Sequence, residues 1–199
     1  MKKVINCYKE FNPVIQRKLK EVSVEEGLEI ATELFNILNE RKDGIGLAAN
    51  QVGIDASVAV LNVREPIILI NPVVTEQWDE IDYYEGCLSY PNKGIRTKRY
   101  KNIIIQTAQE ESGWYFSGVE TGKDDEGERL LEAVCVQHEI DHLNGMTIHD
   151  RKIDTTIKTE KKIGRNQKVL IACGPDSQVM KYKKAKSLLE NGWTLVEPS

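Results

Sequence analysis

The sequence predicts an α+β fold: antiparallel or mixed sheets packed around a central metal-binding helix, with a small C-terminal appendage. Three observations predict it. A first amphipathic helix is followed by several strand-like segments and then a second helix, an order unlike the regular βαβ alternation of a parallel sheet. The second helix carries His138-Glu139-x-x-His142, which sets two imidazoles one turn apart on one face. After Asp150 the texture changes from periodic to polar and basic.

Each element has a local reason. Residues 23–41 read as the first helix, because Ser23 and Glu26 have capping-box spacing and Leu28, Ala31, Leu34, Phe35 and Leu38 recur with helical period. The glycines of "KDGIG" end it. "SVAVLNV" (57–63) and "PIILINPVV" (66–74) read as strands around a short turn, with Asn71-Pro72 bending the second. "YKNIIIQTAQ" (100–109) is a β-branched run and reads as a strand, and "GWYFSGVE" (113–120) as the next. Leu130 to Leu143 reads as the second helix, with Leu131, Val134, Cys135, His138 and His142 on one broad stripe. "RKIDTTIKTEKKIGRNQ" (151–167) reads as a linker or irregular wrap. "KVLIAC" then reads as a strand, "GPDS" as a turn, "YKKAKSLLENG" as a short helix with Gly192 near its C-cap, and "WTLVE" as a last strand. The division is therefore a main domain over 1–153 and a basic linker with a small extension over 154–199, too short to be counted on as an independent fold.

The composition, 40% hydrophobic and 29% charged, is that of an ordinary globular protein. Purely apolar stretches such as "IILI" and "VLIAC" run to no more than five residues, so no membrane association is expected. The first ten residues have lysines but no apolar run behind them, so the expected location is the cytoplasm, with four reduced cysteines. Charge is uneven. Residues 1–150 carry 16 Lys and Arg against 26 Asp and Glu, whereas residues 151–186 carry 11 against 3. A basic segment behind an acidic body fits either a polyanionic partner or a solvated surface that offsets the body.

The pair His138 and His142 faces inward on its stripe, and burying two imidazoles with a Glu between them is costly without a partner. A catalytic ion usually takes three protein ligands and leaves one position open. Four groups compete for the third place. His149 lies one residue beyond the position that a downstream histidine ligand takes in H-E-x-x-H-x-x-G-x-x-H. Glu160 lies in a basic, weakly periodic stretch. Cys135 shares the helix face, but three ligands on one straight helix span about 10 Å along the axis and strain a tetrahedron. Cys87, in "YYEGCLSYP", follows a glycine and precedes Pro91, a setting that lets a thiolate face the helix from across a cleft. A buried structural cysteine fits the same residues.

Three separated stretches resemble the signature motifs of the peptide deformylase family: "GIGLAANQ" (44–51), "EGCLS" (85–89) and "QHEIDHLNG" (137–145), in that order and at similar spacing. "LINPVV" and "PNKGIRTKR" also resemble family segments, and the likeness covers about residues 1–153. The sequence departs from the family's usual residues at Asn50 and Tyr90, and the C-terminal extension resembles nothing in it.

The resemblance implies hydrolysis of the N-formyl group of N-formylmethionyl nascent peptides, with release of formate. It implies one divalent metal ion held by Cys87, His138 and His142, with Fe(II) expected in the cell and Ni, Co or Zn in purified protein. Glu139 is implied as general acid and base, and Gln51 (side-chain amide) and Leu88 (backbone N–H) as oxyanion donors. Gly46 would admit the substrate backbone, and Ile45, Leu131, Val134 and Cys135 would line the methionine pocket. A deformylase acts on chains as they leave the ribosome, so the basic segment 151–186 is expected to contact ribosomal RNA.

Overall fold

Ser23 accepts a hydrogen bond from the Glu26 N–H at 3.2 Å and starts α1 (Val24–Asn39). In the computed structural model of the chain, residues 2–41, 44–118, 126–153, 168–173, 176–189 and 194–196 are described. They fall into two units, Met1–Ile153 and Asp154–Ser199.

In the first unit, α1 lies on a three-stranded antiparallel sheet of β1 (Gly46–Ala48), β2 (Val58–Asn62) and β3 (Pro66–Ile70), with β2 in the centre. Val58 to Leu61 of β2 are all buried because both faces of this sheet are covered. Val58 and Val60 pack with Leu34, Leu38 and Leu47 on the α1 side, and Ala59 and Leu61 face a second core with Ile103, Ile105, Val136 and Ile140. The segment 66–74 is not one bent strand. Asn71 adopts φ 49° and exchanges two hydrogen bonds with the Val22 backbone, at 3.1 and 2.8 Å. The chain then leaves for a second sheet.

That sheet orders β4 (Val73–Cys87), β5 (Tyr90–Thr107) and β6 (Glu110–Ser117), all antiparallel. β4 and β5 form a long ribbon closed by Leu88 and Ser89, with Cys87 opposite Tyr90. The register shifts between Glu85 and Cys87, and Asn92 takes a positive φ of 71° where β5 carries the extra residues. The strand expected at 100–109 is thus only the inner half of β5. Its outer half sets exposed Arg96 and Lys98 beside buried but polar Thr97 and Arg99, and most of β4 is exposed, so they lack the apolar alternation by which a strand is read.

The second helix, α2 (Glu126–Leu143), threads between the sheets, and every residue from Glu132 to Leu143 is buried. Its polar residues therefore need partners. Glu132 meets Arg64 at 3.4 Å, Gln137 exchanges bonds with the Tyr100 backbone at 2.8 and 2.9 Å, and Asp141 is held by two arginines. Two atoms of this stretch are exceptions: Glu139 Oε2 and His142 Nδ1 are buried without a hydrogen-bond partner.

The second unit is an antiparallel sheet ordered β8–β7–β9, from β7 (Lys168–Cys173), β8 (Asp176–Lys181) and β9 (Thr194–Val196), with α3 (Tyr182–Leu189) before the last strand. Val169, Ile171 and Ala185 are its buried centre. β8, with its Ser177, Gln178 and Val179 exposed, had no sequence signal. Gly192 and the segment 154–167 lie outside the described residues.

Candidate metal centre

Three stretches far apart in sequence meet at the front of α2. From the helix come His138 and His142, one turn apart, with ring centroids 4.9 Å from each other. From the end of β4 comes Cys87, whose Sγ lies 3.2 Å from Nε2 of His142. The ligand atoms of these three residues all lie within 4.8 Å of one another. A tetrahedral ion with one thiolate and two imidazoles separates its donors by about 3.5 Å, so the set fits a single divalent ion. Gly86 is not there to make a turn. A Cβ on it would meet nothing within 4 Å, so it leaves open space beside the cysteine.

The third stretch is β1 and the 3₁₀ turn Ala49–Val52 that follows it. Gln51 is 1% exposed, and its Oε1 accepts from the Ala48 N–H at 2.9 Å. That fixes its amide nitrogen toward the metal-ligand set: Nε2 donates to Ser89 Oγ at 3.2 Å and lies 3.7 Å from Cys87 Sγ. Asn50 donates to the His142 carbonyl at 2.6 Å and ties the turn to the end of α2. From the N-terminal segment, the Ile5 N–H binds the Gln51 carbonyl (2.8 Å) and the Cys7 N–H binds the Ser89 carbonyl (2.9 Å).

These groups border one cleft of about 530 Å³. Of the residues singled out in the sequence, Gln51, Cys87, Leu88, His138 and Glu139 line it, as do Ile45, Gly46, Leu131, Val134 and Cys135. His142 lies beneath, 1% exposed. Of the competing third ligands, Cys135 is enclosed and burial pushes its thiol well up, which suits a neutral apolar wall. His149 is exposed and packs edge-on against Tyr90 at 4.7 Å, apart from the three donors. Glu160 lies outside the described residues.

The two histidines are driven in opposite directions. Burial disfavours charge on His138, but its hydrogen bonds to Cys87 and Glu85 overcome this and hold its pKa well above the usual value. Burial and the charges of His138 and Arg99 hold His142 well below it, as a neutral imidazole. Burial pushes Glu139 up to about 7, although His138 and Arg99 draw it down. A divalent cation on the neighbouring donors would draw it lower.

Sequence reasoning singled out part of the cleft lining but assigned no role to Arg41, Tyr83, Tyr84 or Glu85, which also border it, or to the residues behind Glu85. Glu85 accepts from Thr97 Oγ1 at 2.5 Å and Arg99 Nε at 2.8 Å on one oxygen, and faces Nδ1 of His138 at 3.0 Å with the other. Burial alone would raise Glu85, but His138, Arg99 and Thr97 bring it down to about 2. Arg99 is 2% exposed and reaches Asp141 at 2.6 Å. In "GIRTKRYK" Arg99 looks like one more surface charge. The available signal was strand alternation, which turns Thr97 and Arg99 inward and Arg96 and Lys98 outward.

Comparison with known proteins agrees with this geometry. The family described as polypeptide deformylase matches residues 3–159. A peptide deformylase of Dictyoglomus thermophilum is 38% identical over 76% of this chain and 94% of its own length. One from Prochlorococcus marinus is 33% identical over 86% of both chains. The crystal structure of peptide deformylase from Thermotoga maritima superposes with a TM-score of 0.60 at 31% identity, covering 77% of this chain and 98% of that one. No described helix is long and apolar enough to cross a membrane. A Cys-His-His cluster on an α+β frame, the family match over most of the chain and relatives covered almost end to end lead to one conclusion: the chain belongs to the polypeptide deformylase family.

Proposed function

We propose that the chain, a deformylase and hence a hydrolase, removes the N-formyl group of N-formylmethionyl peptides at the cleft in front of α2, and that the following residues carry the reaction. Cys87, His138 and His142 hold one divalent ion, Fe(II) in the cell and Ni, Co or Zn when these replace it. When bound, such an ion would polarise the formyl carbonyl and lower the pKa of the attacking water. Glu139 takes a proton from the attacking water, and oxygen bonds to the formyl carbon. The amide side chain of Gln51 and the N–H of Leu88 donate to the carbonyl oxygen as it gains negative charge. The C–N bond then breaks, Glu139 returns the proton to the amine nitrogen, and formate and the free peptide N-terminus leave. Gly46 admits the peptide backbone, while Ile45, Leu131, Val134 and Cys135 receive the methionine side chain.

The observation that carries this reading is the carboxylate of Glu139. Its Oε2 is buried without a hydrogen-bond partner, as is Nδ1 of the ligand His142, and of these two residues only Glu139 lines the cleft, beside the three donors. The test is formate release from formyl-Met-Ala-Ser, read together with metal content. Glu139→Gln should keep its metal and lose roughly 10²–10⁴ in rate. Cys87→Ala should lose both. Near-normal turnover in Glu139→Gln would remove Glu139 from the mechanism.

We also infer that the enzyme works in the cytoplasm beside ribosomal RNA, through the basic segment 151–186. Lys168, Lys181, Lys183, Lys184 and Lys186 are all exposed on the second unit, which supports a surface for phosphates. Ribosome co-sedimentation should fall steeply with salt and drop when Lys181, Lys183, Lys184 and Lys186 are changed to Glu. Equal binding by that variant would refute the contact.

A further inference from the structure

Behind the metal-ligand set, charged side chains form a continuous chain. His138 Nδ1 lies 3.0 Å from Glu85, whose other oxygen accepts from Arg99 Nε at 2.8 Å. Arg99 Nη1 donates to Asp141 at 2.6 Å. Asp141 is gripped from the far side by Arg151, at 3.0 Å from Nε and 2.7 Å from Nη2. Glu85, Arg99 and Asp141 are all buried, whereas the Arg151 side chain is 40% exposed.

Arg151 lies beyond the three motifs and touches no group that faces the cleft. Its backbone is nonetheless fixed. The Arg151 carbonyl accepts from the Lys98 N–H at 3.1 Å, the Ile153 N–H binds the Arg96 carbonyl at 2.9 Å, and Lys152 bridges to Thr97. One residue thus fastens β5 by its main chain and α2 by its side chain.

We propose that Arg151 is a positioning residue for the metal ligand His138, acting through Asp141, Arg99 and Glu85. The proposal rests on the metal-site reading above. The charge balance gives the reason. Two arginines offset two carboxylates in the chain, and removing Arg151 leaves two buried acids sharing one guanidinium. An uncompensated buried charge is costly, so Arg99 is drawn toward Asp141 and loosens its hold on Glu85. Glu85 then no longer fixes the ring of His138 or the proton on its Nδ1. Partners behind a ligand set both the orientation and the basicity of that ligand. Arg151 supplies a two-pronged grip that a lysine reproduces only as a point charge.

The test uses the full chain loaded with Co(II), followed by its visible ligand-field absorption and by the rate of metal loss to a chelator. Arg151→Ala should shift the absorption band and release metal about 3–10-fold faster, less than the 10–100-fold typical of a residue touching the ligand itself. Arg151→Lys should restore most of both. Arg17→Ala, which breaks only an outlying ion pair with Asp55, serves as the control and should move neither. A lower melting temperature in Arg151→Ala, with spectrum and release rate unchanged, would make Arg151 a structural clamp and overturn the proposal. Should Arg151→Ala fail to fold, Arg151→Gln, which keeps part of the side chain without its charge, decides: a spectrum and release rate identical to wild type overturn the proposal. Failure of the wild-type chain to bind Co(II) would instead overturn the metal-site reading, and the proposal with it.

Discussion

Gly46 stands where a methyl group would collide with the Glu139 carboxylate and come within 2.8 Å of Cys135 Sγ. The glycine is needed for this close approach, since its φ is ordinary. Gly46→Ala should displace the carboxylate and leave the metal donors in place. The expected outcome is normal metal content with formate release lowered about 100-fold, the cost of a misplaced catalytic group. A normal rate would mean that the carboxylate swings aside freely. Glu85 gives a pH signature. Its folded pKa of about 2 lies below the ordinary 4.5. Its contribution to stability is therefore complete above pH 4.5 and is lost as pH falls toward 2. Denaturation midpoints between pH 6 and pH 2.5 should fall more steeply for wild type than for Glu85→Gln, which starts lower and has no such proton to gain. At this scale the sequence showed whatever lies on one element. His138, Glu139 and His142 are visible by spacing, but Cys87 needed the resemblance, because no local pattern says that it faces the helix. Glu85, Arg99 and Asp141 join three elements, and no period within one element records that.

At the scale of elements, α1 was legible and the β4–β5 ribbon was not. The α1 reading rested on a cap and an apolar stripe: Ser23 caps, and Ala31, Leu34 and Leu38 are buried, whereas Leu28 of the expected stripe is exposed and Phe35 half-buried, and Gly27 and Ile37 are buried in addition. Leu34 is fully enclosed against the first sheet, so Leu34→Ala should cost about 2–5 kcal/mol, read as a shift in urea midpoint at constant slope. The ribbon hid because its outer part draws order from backbone pairing rather than from an apolar face. Trp78 stacks on Tyr115 at 5.7 Å and Lys98 meets Glu80 at 2.5 Å, cross-strand contacts that a one-dimensional pattern does not show. α2 misled in the opposite sense. It was read as having one buried stripe, yet its whole C-terminal part is enclosed. Of the charged residues that should have marked a solvent face, Glu132 and Asp141 are instead consumed by partners.

Across the molecule, the first unit holds every group assigned to catalysis, from Ile45 to His142. The frame of that unit was legible because its motifs occur in order over one contiguous stretch. The second unit was legible only as strand, helix and strand, since β8 has exposed side chains and follows residues that lie outside the description. Stripping the metal should destabilise the first unit, because binding energy realised only in the folded state adds to folding energy. A chelator should lower the melting temperature by several degrees, and added Co(II) should restore it. An unchanged melting temperature would indicate a preformed site that gains nothing from its ion.

The spacing of the donors also bears on how the chain acquires its fold. His138 and His142 become neighbours as soon as one helical turn forms, whereas Cys87 lies 55 positions upstream of His142 and must close a loop that contains all of β5 and β6. Closing such a loop costs an entropy that grows only slowly with its length, but it must be met before the sheet contacts within it are made. An ion resting on the two imidazoles of a nascent helix would await the thiolate, and the arrival of Cys87 would fasten the last of the three like a clasp. Refolding in the presence of metal should therefore be faster than refolding in chelator, and Cys87→Ala should erase the difference.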